Sequence, residues 1–117
     1  PDFTFLYLGY TDCAGHDSGW MSPEYLRALH NALACVRRVY EALPAGYSLV
    51  LTADHGGHDR GHGEDIPEDR TIPIVFAGAL FAAGRVLEAR TIKDIAPTVL
   101  QVLGLPKPMA WEGRSIL

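Results

Sequence analysis

The sequence predicts an α/β domain with a mostly parallel sheet and flanking helices. Short apolar runs of strand length alternate with segments of helical periodicity. Successive positions of these runs are apolar, which is typical of parallel strands that helices cover on both faces. Polar residues follow two of the runs, at the sheet edge where such folds gather their functional groups.

The bulk composition fits one globular unit. The chain has 117 residues, of which 48% are hydrophobic and 21% charged, with a formal net charge of −4. This length allows at most one domain, and the acidic balance disfavours nucleic acid as the main partner. No apolar run approaches the roughly 20 residues that span a bilayer. Because the chain starts at Pro1 without an initiator Met or a signal peptide, we expect a portion of a larger catalytic domain whose amino-terminal half is missing.

Cys13 and Cys35 are the only cysteines. Two cysteines do not make a disulfide framework, and we interpret them as free thiols in a reducing compartment. This favours a cytoplasmic location. Cys13 as an additional metal ligand stays open.

The first half of the chain reads as strand, loop and helix. Residues 3–9 are apolar throughout and predict a strand, and residues 10–19 predict a polar loop. Ser22 and Pro23 mark the start of a helix as its cap and first residue. Apolar residues then recur every three or four positions as far as Leu43, which predicts one stripe facing a sheet. We interpret His30, within this helix, as a structural or surface residue.

The second half begins with a predicted strand over residues 47–51 and continues with a third strand over 71–78. Pro73 must lie near the start of that strand or at a sheet edge, since it lacks an amide donor. Residues 85–87 form either a short strand or an extended connection. Asp94 is expected to cap a last helix that Gly104 ends, and the acidic run 64–70 is expected to be a solvated loop.

The stretch 52–63 carries the strongest chemical signal. It places Asp54, His55, His58 and His62 in one short loop with four glycines, directly after a buried strand. Imidazole and carboxylate are ligands of zinc and related ions, whereas a hydrophobic core would need to hydrogen-bond every one of these groups. We therefore predict a metal site at the carboxyl end of the strand.

Asp12 and His16 repeat this arrangement after the first predicted strand. Alone, this pair is weak evidence for a metal site, because a loop Asp and His are commonly solvated or capping groups. Their weight comes from the second pair, since the carboxyl ends of neighbouring strands meet at one edge of an open sheet.

In this order, the motifs resemble the carboxyl-terminal half of the alkaline phosphatase superfamily, and most closely its type I phosphodiesterase/nucleotide pyrophosphatase branch. The matching pieces run through nearly the whole chain: Asp12 with His16, residues 52–56, His62 with Gly63, residues 67–73, residues 94–98 with Leu103 and Gly104, and residues 112–115.

The resemblance implies an alkaline phosphatase-like fold and two zinc ions in the intact enzyme, with manganese as the alternative metal. One ion would be held by Asp12, His16 and His62, and the other by Asp54 and His55. His58 would be an outer-sphere or surface group, with substitution for His62 as the fallback.

The resemblance also implies a Thr or Ser nucleophile, and an earlier Asp ligand, on a segment before this one. Neither Thr11 nor Thr52 stands in the nucleophile's context, so no catalytic nucleophile is assigned in this chain. Relatives often carry an Asp in the first long helix, where this sequence has Ala34 and Cys35, which puts one outer-sphere contact in doubt.

The implied activity is metal-dependent hydrolysis of small phosphate esters, of the phosphodiesterase or nucleotide pyrophosphatase type, with the isolated chain inactive. A sulfatase or a phosphomutase of the same superfamily is an alternative. Two other readings remain open, a non-catalytic binding module with the same fold and a metal-free α/β domain.

Overall fold

The computed structural model describes residues 1–88 and 90–117. Its helices and strands are, in chain order, α1 (Tyr10–Ser18), α2 (Pro23–Glu41), β1 (Leu49–Thr52), α3 (Pro67–Arg70), β2 (Ile74–Ala77) and α4 (Ile95–Val102), with a 3-10 turn at Ile92–Asp94. The chain divides into two compact units. The sheet unit comprises Pro1–Asp2, Gly46–Leu51 and Ile74–Leu117, and the helical unit comprises Phe3–Ala45 and Thr52–Pro73.

The sheet unit contains a two-stranded sheet in which β1 pairs with β2. Both strands were predicted, and Pro73 lies one residue before β2, where its missing amide breaks no ladder hydrogen bond. Gly78 follows β2 with φ +128°, and a Cβ there would lie 2.5 Å from the Ser48 hydroxyl oxygen. Residues 85–87 lie outside any helix or strand.

The last helix and the tail form the most buried part of the sheet unit. Asp94 immediately precedes α4, and its carboxylate accepts hydrogen bonds from the amides of Thr91 (3.1 Å) and Arg114 (2.7 Å). Thr98 is fully buried; its hydroxyl donates to the Asp94 carbonyl oxygen and accepts from the Ile116 amide. These bonds hold the irregular tail against α4, which ends at Val102, two residues before Gly104, the residue predicted to end it.

The helical unit is organised by α1 and α2, which pack against each other. Ser22 caps α2 as predicted, because its hydroxyl accepts a hydrogen bond from the Tyr25 amide at 3.1 Å. Ala14 and Ala28 are the buried hydrophobic residues on these two helices.

Two predictions at the start of the chain are wrong. Residues 3–8 form no strand, although their apolar run predicted one, and Phe5 and Tyr7 are 78% and 69% exposed. Apolar character alone does not make a strand, since strand amides need a hydrogen-bonded neighbour. Residues 10–18 are a helix and not a loop. The helix suits Asp12 in its first turn, because a negative charge there complements the helix dipole.

The apolar stripe of α2 is only partly covered. The helix extends as predicted, but Leu26, Leu33 and Tyr40 are each more than 40% exposed. Among residues 1–88 and 90–117, the structure shows a small α/β arrangement with two strands and not the predicted mostly parallel sheet. Cys13 and Cys35 are both exposed free thiols. No helix among the described residues is long and apolar enough to cross a membrane.

Candidate metal centre

Helix α1 brings Asp12 and His16 together. The two residues are four positions apart and therefore lie on one face of the helix, one turn from each other. Asp12 Oδ1 lies 3.5 Å from His16 Nε2. The sequence motif D-x-x-x-H thus becomes a pair of donor atoms that point to the same place.

The 53–64 loop, which follows β1, brings two further imidazoles to the same carboxylate. Asp12 Oδ1 lies 3.5 Å from His62 Nε2 and 3.8 Å from His55 Nε2. The rings of His55 and His62 stack with centroids 3.7 Å apart and an interplanar angle of 18°. Residues from distant parts of the helical unit therefore meet around one oxygen.

Backbone carbonyls orient two of the imidazoles. His16 Nδ1 lies 2.9 Å from the Arg60 carbonyl oxygen, and His55 Nδ1 lies 2.7 Å from the Gly56 carbonyl oxygen. A carbonyl can only accept, so in both rings Nδ1 carries the proton. In the neutral form of each ring the lone pair is then on Nε2, the nitrogen that faces Asp12, and this is the tautomer that a metal ligand requires.

The donor set suits a divalent cation. One ligand atom from each of Asp12, His16 and His62 lies within 4.8 Å of the others. Asp12 Oδ1 is buried and accepts no hydrogen bond from any described residue. A buried carboxylate oxygen without a donor is costly, and a cation between these three groups would satisfy it. Two imidazoles and a carboxylate are a three-ligand set found in catalytic zinc sites.

Asp54 and His55 lie at the edge of this group. Asp54 Oδ1 is 3.9 Å from His55 Nε2, and the Asp54 side chain is 72% exposed. The described residues contain no second group of three donors. Of the two predicted ion positions, the structure thus brings three donors together for one and two for the other.

His58 points to a different partner. Its Nδ1 lies 2.8 Å from Asp69 Oδ1, and its Nε2 lies 3.7 Å from Glu64 Oε1. The hydrogen bond to Asp69 is the main reason that the pKa of His58 is raised. Burial opposes ionisation of Asp69, but hydrogen bonds from His58 and the Glu64 amide hold its pKa below the usual value. Neither residue belongs to the three-donor group.

Trp20 lies behind the imidazoles. Its ring contacts His16 edge-on at a centroid distance of 5.2 Å and His62 at 5.8 Å. Gly15 and Gly57 make room for it, because a Cβ on either would lie less than 3 Å from the indole. The Trp20 amide also donates to the Asp59 carbonyl at 2.7 Å, which links the connection between α1 and α2 to the 53–64 loop.

Sequence reasoning missed two residues that shape the centre, Asp69 and Trp20. Asp69 was assigned to a solvated acidic run, but it is 4% exposed and lies in α3. Nothing in the run distinguishes it from its neighbour Glu68, because both are acids within one short charged segment. For Trp20, the only signal was a large aromatic residue directly after Gly19.

The comparison with known families assigns the chain to a protein family. The sequence model of the type I phosphodiesterase/nucleotide pyrophosphatase family matches residues 1–85, well over half of the chain. The chain belongs to this family, which lies in the alkaline phosphatase superfamily and is metal-dependent.

The curated relatives have a more specific name. The chain is 34% identical to a 2,3-bisphosphoglycerate-independent phosphoglycerate mutase of Laribacter hongkongensis, over 91% of this chain and 22% of the relative. It is 32% identical to the enzyme of the same name from Syntrophotalea carbinolica, over 99% of this chain and 23% of the relative. The chain thus spans about a fifth of the length of the curated relatives it matches. No solved structure matches.

Proposed function

We propose that this chain is the metal-binding part of a metal-dependent phosphomutase acting on phosphoglycerate. The observation that carries the proposal is the group formed by Asp12, His16 and His62 in a chain whose similar relatives are phosphoglycerate mutases. This is the alternative within the superfamily that the sequence left open, and the relatives support it better than a hydrolase.

We assign Asp12, His16 and His62 to one divalent ion, and Asp54 and His55 to a second. The first set is supported by the mutual distances of its donors and by the buried Asp12 oxygen. The second is supported by the position of His55 beside Asp12. Both zinc and manganese accept these nitrogen and oxygen ligands. The second ion would need further ligands from outside this chain, since two donors hold a metal weakly.

In phosphoryl transfer, the residues of this chain would hold the metal ions and orient the imidazole rings. Bound divalent ions supply positive charge that polarises phosphoryl oxygens and stabilises the transition state. His16 and His55 are held by backbone carbonyls in the tautomer that presents Nε2. Trp20 and the stacked His55–His62 pair restrict the rings' rotation. We assign no nucleophile to this chain; a Thr or Ser from another part of the protein would carry the phosphoryl group.

The same proposal extends to the surrounding fold. The chain would form one portion of an alkaline phosphatase-like catalytic domain with a mostly parallel sheet, in which β1 and β2 are two of the strands. The exposed stripe of α2 would then face the rest of that domain. This is supported by the family match over residues 1–85.

A phosphodiesterase or nucleotide pyrophosphatase is the second candidate, because the matching family model carries that description. The two functions share the metal site and differ in what accepts the phosphoryl group. A mutase returns it to the sugar acid, whereas a hydrolase gives it to water. Residues outside this chain would decide between them.

A chimeric enzyme tests the proposal. The matched segment of the Laribacter mutase is replaced with this chain, and the purified chimera is given phosphoglycerate and Mn²⁺ without 2,3-bisphosphoglycerate. We expect isomerisation of phosphoglycerate, and its loss in the same chimera with His62→Ala. The control is the chimera with His30→Ala, an exposed imidazole on α2.

Separate assays identify the competing functions. Release of inorganic phosphate, or hydrolysis of a nitrophenyl phosphodiester without isomerisation, would support the hydrolase. A folded chimera that binds Mn²⁺ but acts on none of these substrates would contradict both. Calorimetric titration of the 117-residue chain with Mn²⁺ and Zn²⁺ checks the metal site independently, and a chain that binds neither would favour a binding module.

A further inference from the structure

Asp69 holds the 53–64 loop at both ends. At the first end, the Gly56 amide donates to the Asp69 carbonyl oxygen at 2.7 Å, directly after His55. At the second end, the Glu64 amide donates to Asp69 Oδ2 at 2.7 Å, two residues after His62. His62 therefore lies between two points that are fixed by one residue, and His55 lies directly before the first of them.

The Asp69 side chain also fixes the middle of the loop. Its second oxygen, Oδ1, receives the hydrogen bond with His58 Nδ1 at 2.8 Å. His58 in turn closes a tight backbone turn with Gly61, with hydrogen bonds of 3.0 and 2.9 Å in the two directions. This turn leads directly into His62. Each oxygen of one carboxylate therefore serves a different part of the loop.

Burial makes these contacts effective. Asp69 is 4% exposed, and a carboxylate at that depth is tolerated only when its oxygens are hydrogen-bonded. Hydrogen bonds to an ionised carboxylate are stronger than those between neutral groups. A Cβ at position 56 would lie 2.0 Å from the Glu68 carbonyl oxygen, so the loop and α3 approach as closely as glycine permits. The Gly56 end of the loop therefore has little room to shift toward α3.

We propose that Asp69 is a positioning residue for the metal centre, acting through the backbone of the 53–64 loop and through His58. It supplies no ligand itself. It sets the separation of His55 and His62 from Asp12 before any metal binds. The inference rests on the proposed metal site, and it adds a role for a residue in a region that the sequence assigned to solvent.

The test compares Asp69→Ala with Glu68→Ala in the 117-residue chain. Glu68→Ala is the matched control, because it removes an exposed acid from the adjacent position and keeps the carbonyl that binds the Gly57 amide. Amide hydrogen exchange in the metal-free chain should accelerate at Glu64 in Asp69→Ala only. Mn²⁺ affinity should fall by roughly ten-fold in Asp69→Ala, the lower end for loss of an outer-sphere partner, and stay unchanged in Glu68→Ala.

The visible absorption of bound Co²⁺ separates positioning from a merely structural role, because the band depends on ligand geometry. At saturating Co²⁺, we expect an altered band for folded Asp69→Ala. Asp69→Asn keeps one acceptor oxygen and should restore most of the affinity and the band; it also carries the test if the alanine variant does not fold.

Two results would overturn the inference in different ways. Wild-type Mn²⁺ affinity and an unchanged Co²⁺ band in Asp69→Ala, despite faster exchange at Glu64, would show that Asp69 only stabilises the loop. A wild-type chain that binds neither Mn²⁺ nor Co²⁺ would overturn the proposed function itself, and the inference with it.

Discussion

At the scale of single residues, Asp12 is the centre of the candidate site. One of its oxygens lies within 3.5 to 3.8 Å of an Nε2 atom from each of His16, His55 and His62. That oxygen accepts no hydrogen bond from the described residues. A cation resolves this arrangement, because it binds the oxygen and the imidazole lone pairs at once.

His16→Ala should weaken metal binding by more than the 10- to 100-fold that is typical of losing an outer-sphere partner. The reason is that two of the three grouped donors would remain. His30→Ala is the matched control, since His30 is an exposed imidazole on α2 outside the group. Calorimetric titration with Mn²⁺ measures both. Equal affinities of the two variants would contradict the assignment of His16.

Asp94 predicts an acid-sensitive fold. Although burial opposes its ionisation, hydrogen bonds from the Arg114 and Thr91 amides hold its pKa below the usual 3.8. A lowered pKa in the folded state contributes stability that is present above pH 3.8 and is lost as the pH falls through the folded-state pKa. Asp94→Asn should lower the free energy of unfolding at pH 7 by roughly 1–3 kcal/mol.

Urea unfolding at several pH values checks this prediction. The wild-type chain should lose stability more steeply than Asp94→Asn below pH 4. Identical pH profiles for the two proteins would show that the Asp94 carboxylate does not stabilise the fold.

At the scale of elements, the 53–64 loop depends on its close approach to α3. The loop amides of Gly56 and Gly57 donate to the carbonyls of Asp69 and Glu68 in the last turn of that helix. The four-residue helix α3 therefore contributes backbone carbonyls that accept hydrogen bonds from the loop. Glycine is needed at position 56, because its missing side chain permits this approach.

Gly56→Ala should separate the loop from α3 and lower stability by roughly 1–3 kcal/mol, the usual range for overpacking. The obstacle is a backbone carbonyl, that of Glu68, which cannot rotate away. Gly61→Ala in the same loop should be close to neutral, since no atom lies within 4 Å of the added Cβ. Thermal unfolding of both variants measures the difference; equal melting temperatures would contradict the close approach.

At the scale of the whole molecule, apolar surface is exposed in each unit. Examples are Phe5 and Tyr7 in the helical unit, and Val86 and Met109 in the sheet unit. The described residues bury few large hydrophobic side chains, so the core contributes little to stability. A bound metal would add to it, because an ion that binds the folded state alone shifts the unfolding equilibrium.

We therefore expect one tightly bound Mn²⁺ per chain and a higher melting temperature in its presence. The stoichiometry follows from the single group of three donors among the described residues. Asp54→Ala should keep one tight ion, because Asp54 is exposed and outside that group, whereas His62→Ala should lose it. Two ions of equal affinity in the wild-type chain would contradict this expectation.

Local sequence determined several elements and the composition of the candidate site. α2, with its Ser22 cap, was predictable because caps and helical periodicity act within a few residues. β1 and β2 were also predictable, because each is a short apolar run beside turn residues. The acid and imidazole motifs also indicated metal chemistry, because few other uses exist for so many ligand-type side chains in so short a loop.

Tertiary structure decided the rest. Residues 3–8 lack a strand and residues 10–18 form a helix, because pairing and burial depend on neighbours that local pattern does not specify. The His16 ring is oriented by the carbonyl of Arg60, 44 positions away, and Asp69 is buried by a loop that returns to α3. The sequence by itself determined which ligand types this protein carries. Only the fold decided which of them meet, because donor atoms distant in the chain converge only when the backbone between them is fixed.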